Sequence, residues 1–138
     1  MDMENTSLKT SANMAIIMGI FLPFAETVRS IHEILAMKGF FSWFDDYMLG
    51  AVLLLSAIRV KYEKQNAAAY LIAAWGVATG AIALSFWAHL HDYFHSERLT
   101  DRGVFSSGFV LIAKALILLF ILQGLYYSIK ANRLLIKK

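Results

Sequence analysis

VFSSGFVLIAKALILLFILQGLYYSI, residues 104–129, decides the fold class: it is apolar along its whole length, with Lys114 and Gln123 its only strongly polar interruptions. A hydrocarbon core about 30 Å thick is crossed by about 20 mainly apolar residues in a helix, so this stretch has the length and chemistry of a span. Working backwards, residues 66–90 (NAAAYLIAAWGVATGAIALSFWAHL) carry no acidic or basic residue before the histidines at their end. Residues 43–60 (WFDDYMLGAVLLLSAIRV) open on two aspartates and close on an arginine. Residues 13–37 are cleanly apolar only from Met14 to Ala25; Glu26, Arg29, His32 and Glu33 follow. The expectation is one all-α domain over residues 1–138, a four-helix up-down-up-down transmembrane bundle with spans at about 13–37, 43–60, 66–90 and 104–129.

Composition agrees: the 138 residues are 59% hydrophobic and 17% charged, against roughly 45–50% and about 25% in soluble domains. With no cysteine, disulfides, thiolate metal sites and covalent haem attachment are excluded. A signal peptide is a rival reading of the first span, but MDMENTSLKTSAN is acidic and polar where a basic stretch belongs. The other rival is an interfacial helix with its charged half among the headgroups.

The bases are sorted along the chain. Lys9, Arg59, Lys61, Lys64, Lys130, Arg133, Lys137 and Lys138 fall on one side of a four-span arrangement, and Arg29, Lys38, Arg98 and Arg102 on the other. The positive-inside rule then puts both termini in the cytoplasm. Trp43, Tyr47, Trp87 and Tyr93 fall near the outer boundary and Tyr62, Tyr70, Tyr126 and Tyr127 near the inner one, as interfacial aromatics do. WFDDYMLGA (43–51) and AAWGVATG (73–80) resemble segments of small bacterial membrane proteins, which implies a bacterial inner membrane.

Helices in lipid associate through small residues. Ala69, Ala73, Gly76, Gly80 and Ala83 fall within about 80° of arc on the third helix, and Gly76 and Gly80 form a GxxxG. Their expected role is helix packing within the chain, with a homodimer or partner-subunit seam as the alternative. On the second helix Asp46, Gly50, Leu53 and Ala57 share the face expected to turn inward. Pro23 should kink the first helix and free a carbonyl one turn earlier.

Ionisable side chains at membrane depth are costly and usually paired. Glu26 and Lys114 each lie about ten residues, or about 15 Å, from the outer ends of the first and last spans. These helices are neighbours in an up-down bundle, so a buried Glu26–Lys114 ion pair is expected, serving structure or a proton or ion relay. Arg29, His32, Glu33, Asp46 and Asp92 form the expected outer polar cluster, with the Glu26, Arg29 and Glu33 face pointing into the bundle. Ser42 and Asp45 have capping-box spacing.

All four histidines lie in the outer half. His91 and His95, at i and i+4, could hold one divalent metal ion, and His32 with His89 could hold a b-type haem between helices. Neither cofactor has a full motif behind it, so none is expected, with metal and haem b the alternatives. Ser106 and Ser107 lack a nucleophile motif, and there is no phosphate loop or aromatic-basic patch for nucleic acid. The lipid bilayer is the expected partner. Function reads first as a non-enzymatic structural or accessory membrane protein, then as a small transporter or proton-coupled protein using Glu26 and Lys114, then as a metal- or haem-dependent membrane enzyme.

Overall fold

The computed structural model describes residues 2–62, 66–95 and 107–136. The 96–103 loop with Arg98 and Arg102, Ser106, and Lys64, Lys137 and Lys138 lie outside the described residues, as do the side chains of residues 2–5, 41, 42 and 107. The described chain is all-helical: α1 (Asp2–Leu35), α2 (Phe40–Tyr62), α3 (Ala67–His95) and α4 (Ser107–Ile136). Three stretches, Thr6–Leu35, Ala67–His95 and Gly108–Ile136, are long and apolar enough to cross a membrane.

Each helix packs on its two sequence or ring neighbours, α1 on α2 and α4, α3 on α2 and α4, with a narrow diagonal contact between α1 and α3. The core is made by Met14, Met18, Leu22, Leu49, Leu53, Leu71, Trp75, Ala78, Ile82 and Ile121. Gly50, Leu53 and Ala57 do turn inward on α2. The α1–α2 seam is the closest, with Gly19 against Gly50 and Leu54 and Gly50 against Pro23, while Thr27 bonds Tyr47 farther along. These pairs advance along α1 as they retreat along α2, so the two helices are antiparallel.

The ridge expected to pack α3 within the chain does not do so. Ala69, Ala73, Gly76 and Gly80 are exposed, and a Cβ on either glycine would meet nothing within 4 Å. Ala74, Trp75, Ala78 and Ile82 face the core instead, because the large indole fills space that small residues would leave empty. A closely packed glycine on α4 was not anticipated: a Cβ on Gly124 would come within 2.4 Å of the Trp75 ring.

α1 bends at Ser30, whose φ of −110° and ψ of 19° are non-helical, two turns beyond Pro23, where the kink was expected. The helix then closes in a Schellman pattern, with Lys38 N–H donating to Glu33 O at 2.9 Å and Met37 N–H to Ile34 O at 3.1 Å. Met37 takes the left-handed position at φ 53° and Gly39 follows at φ 60°. α2 is already helical at Phe40, so Ser42 lies within its first turn and not at its cap.

Candidate functional site: a charged cluster at the α1–α2 turn end

Glu26 sits on the inner face of α1, 2% exposed. Its two carboxylate oxygens are taken locally: Arg29 Nη2 lies 2.7 Å from Oε2, and Ser30 Oγ donates to Oε1 at 2.6 Å. Residues three and four apart on a helix are side-by-side neighbours, so both partners reach the carboxylate without help from another element. Arg29 keeps about a third of its side chain exposed, which leaves part of the guanidinium solvated. Beyond the bend at Ser30 the helix face rotates away, and His32 and Glu33 are exposed. The face expected to point inward therefore does so at Glu26 and loses contact with the core by Glu33.

Thr27 joins α1 to α2. Its hydroxyl donates to Pro23 O at 2.7 Å, so in the 2.5 Å contact with Tyr47 it is the tyrosine that donates. Asp45 Oδ1 accepts Asp46 N–H at 2.9 Å. Asp46 is half-buried and within electrostatic reach of Asp45, Glu26, Arg29 and Lys114.

Lys114 enters the same neighbourhood from α4, and the charges of Arg29, Asp46 and Glu26 all act on it. Its hydrogen-bond partners are on α3: the ammonium donates to Ser85 Oγ and lies 3.3 Å from His89 Nδ1. That nitrogen is also 2.9 Å from Ser85 O, an acceptor that requires an N–H, so the proton sits on Nδ1 and the ammonium's bond is to the serine. Among the described residues Glu26 and Lys114 make no direct ion pair. The expected partners share a charged neighbourhood, but Arg29 and Ser85 hold them. A carboxylate reached by an i+3 arginine loses less side-chain freedom than one bridged to another helix, which favours the local pair.

A second polar centre lies deeper in the bundle. Ser11 and Ser128 are fully buried, as is Trp75. Trp75 Nε1–H donates to Ser11 Oγ at 2.9 Å, the two serine hydroxyls are 2.6 Å apart, and Gly124 O accepts from Ser11 at 3.0 Å and from Ser128 at 3.1 Å. Each hydroxyl has one proton, so at any moment one serine donates to Gly124 O and the other donates to its partner serine. This network ties α1, α3 and α4 together. Between it and the charged cluster lie Met18, Leu22, Leu53, Ala78, Ile82 and Ile121. The hydroxyls near this layer, Ser56 and Thr79, bond back to Val52 O and Trp75 O of their own helices. Among the described residues no buried side-chain nitrogen or oxygen lacks a hydrogen-bond partner.

Of the other predicted residues, only His89 adjoins this cluster, beside Lys114. His91, Asp92 and His95 are exposed at the end of α3, and His32 is exposed on α1 while His89 is engaged by Ser85. No group of three or more His, Asp or Glu side chains that could hold a metal occurs among the described residues. Thr27, Ser30 and Ser85 were missed in the sequence, where the available signal was their i±4 spacing from Pro23, Glu26 and His89, and Tyr47 was read only as an interfacial aromatic. No protein-family model, curated protein or solved structure matches the chain.

Proposed function

We propose that the chain is a small integral membrane protein of a non-enzymatic, structural or accessory kind, with four bilayer-crossing helices in an up-down-up-down bundle. Both termini lie in the cytoplasm, and the membrane is the inner membrane of a bacterium. The observation that carries this reading is the internal satisfaction of buried polarity: Glu26 is bonded within its own helix, and no described buried polar side-chain atom is left open for a missing ligand. An apolar layer separates the charged cluster from the Ser11 network. Phe109, Ile112, Leu116, Leu119 and Tyr126 repeat along an exposed face of α4, an apolar stripe that suits lipid and would be unusual on a soluble monomer. α2 completes the bundle as a fourth crossing, its apolar middle bounded by Asp46 and Arg59.

An accessory protein needs a partner, and the exposed Ala69, Ala73, Gly76 and Gly80 face of α3 lets a helix of a second copy or partner subunit approach closely. Because the chain has no cysteine, V77C can be oxidised in native membranes without background. A crosslinked product supports the accessory reading, and persistent monomer counts against a self-contact there. Reporter fusions at both ends should give cytoplasmic signals.

A second reading, a proton-coupled protein, is favoured by the convergence of Glu26, Arg29, Asp46 and Lys114 charges. Proteoliposomes decide between the two. The structural reading expects a proton leak no faster than that of empty vesicles. A leak abolished by E26Q would replace it with the coupled one.

A further inference from the structure

Outside the charged cluster, the most organised pair of chemically capable side chains is at the end of α3. His91 and His95 stack with ring centroids 4.2 Å apart and planes 14° from parallel. Both are exposed, so burial does not hold them there. His95 Nδ1 lies 3.0 Å from His91 O. A carbonyl can only accept, so His95 carries its proton on Nδ1 and turns the Nε2 lone pair outward. His91 Nδ1 lies 3.8 Å from Asp92 Oδ1, near enough for the carboxylate to attract a cation there but beyond hydrogen-bond distance. Neither Nε2 has a partner among the described residues.

We propose that His91 and His95 form a two-imidazole site for a divalent transition-metal ion, bound through both Nε2 atoms, with exchangeable water completing its coordination. The His91 carbonyl behind His95 is the kind of group that orients a metal-binding histidine, and the Asp92 carboxylate adds negative charge beside His91. Two nitrogens on one tetrahedral zinc are about 3.4 Å apart, from bond lengths of about 2.0–2.1 Å. The rings stack nearly parallel with centroids 4.2 Å apart, and because each lone pair lies in its ring plane, binding one ion requires these exposed side chains to rotate out of the stack until both Nε2 lone pairs converge on it. Imidazole suits zinc, copper and nickel, while magnesium and calcium take oxygen ligands and are poor candidates. With two protein ligands the site is open, unlike the closed four-ligand site of a structural zinc. Such a site exchanges its ion with solvent and does not hold the fold together.

The test uses the full chain, purified without a histidine tag and held in detergent micelles. Cu2+ is titrated with electron paramagnetic resonance as the readout, and Zn2+ by calorimetry. The expected result is one ion per chain, a copper spectrum with coupling to two nitrogens, and at least tenfold weaker Zn2+ binding in both H91A and H95A. H89A and H32A should bind as the parent does. Helix content and melting should not change in H91A, H95A and H32A, whose histidines are exposed, whereas H89A also loses the half-buried bond to Ser85 O and is read for metal binding alone. The proposal fails if the parent binds no Zn2+ at micromolar concentration, or if either H91A or H95A binds as tightly as the parent.

Discussion

Gly19 and Gly50 face each other backbone to backbone across the α1–α2 seam. A Cβ built on Gly50 would lie 2.6 Å from Gly19 O, and one built on Gly19 would lie 2.9 Å from Gly50 O. Pro23 explains why that carbonyl is available: lacking an N–H, it cannot close the helical hydrogen bond to Gly19 O. The freed oxygen faces Gly50, and the close approach is reciprocal, which is the packing in which Cα–H···O contacts of about 0.5–1 kcal/mol each form between helices.

G50A should therefore be the most damaging glycine substitution on the seam. Its methyl group would meet the Gly19 carbonyl and the Pro23 ring, whose Cγ is 2.6 Å away, and neither can move without displacing α1. Overpacking of this kind costs about 1–3 kcal/mol. G19A meets Leu54 Cγ at 2.7 Å and the Gly50 carbonyl at 2.9 Å; it should also cost stability, but less than G50A, because the leucine side chain yields more readily than the Pro23 ring. Reversible unfolding in mixed detergent micelles checks the order. Equal midpoints for G50A and the parent would mean that the seam is looser than this geometry.

On α3 and α4 the expectation is a contrast. G124A drives a methyl group into the flat face of Trp75, at 2.4 Å from Cζ2, and should lower stability by about 1–3 kcal/mol. G76A and G80A point into open space, so they should be neutral or gain up to about 1 kcal/mol from helix propensity. If G80A instead lowered the yield of the crosslinked species while raising monomer stability, the exposed ridge would be an intermolecular seam.

Much of this fold was legible in the sequence, and the part that was not has physical reasons. Runs of apolar residues of spanning length gave the four helices, and the i, i+3, i+4 rule gave the inward face of α2 through Gly50, Leu53 and Ala57. The same rule misled on α3. Small residues mark a face that can be approached closely, but not which helix approaches it, and Trp75 one position away from the ridge took the core. Lys114 was expected to neutralise Glu26 because the two stand at matching depth, but Arg29, three residues on along the same helix, takes that place. Only coordinates reveal that Ser30 breaks the helix and brings its own hydroxyl to the carboxylate. The Ser11, Trp75 and Ser128 network left almost no trace, since serines in apolar helices usually bond their own backbone.

In that network the serines are not equivalent. S128A leaves Ser11 able to accept from Trp75 and donate to Gly124 O, so the cost should be about 1 kcal/mol. S11A strands the buried Trp75 N–H, whose protein acceptor is the Ser11 hydroxyl. An unpaired buried donor costs about 1–3 kcal/mol. Unfolding midpoints should fall in the order parent, S128A, S11A, and indole fluorescence should shift in S11A alone. Identical midpoints for the two variants would indicate that another group serves the indole.

Charge removal at the other end of the bundle discriminates between the two candidate partners of Glu26. R29Q leaves a carboxylate that is 2% exposed with the Ser30 hydroxyl alone. Breaking a buried pair costs about 3–5 kcal/mol, and the lower end applies because Arg29 is itself about a third exposed. E26Q should cost less, since a glutamine can still accept from Ser30 while the freed guanidinium turns to solvent. K114M should cost least of the three. Ser85 can redirect its hydroxyl to a carbonyl of its own helix, His89 keeps its bond to Ser85 O, and methionine is at home in an apolar span. The R29Q and E26Q double variant should recover part of the R29Q loss, which a thermodynamic cycle on the four proteins measures directly. Should K114M prove as costly as R29Q, with E26Q and K114M coupled instead, the lysine on α4 would be the true counter-ion and the local pair on α1 a secondary one.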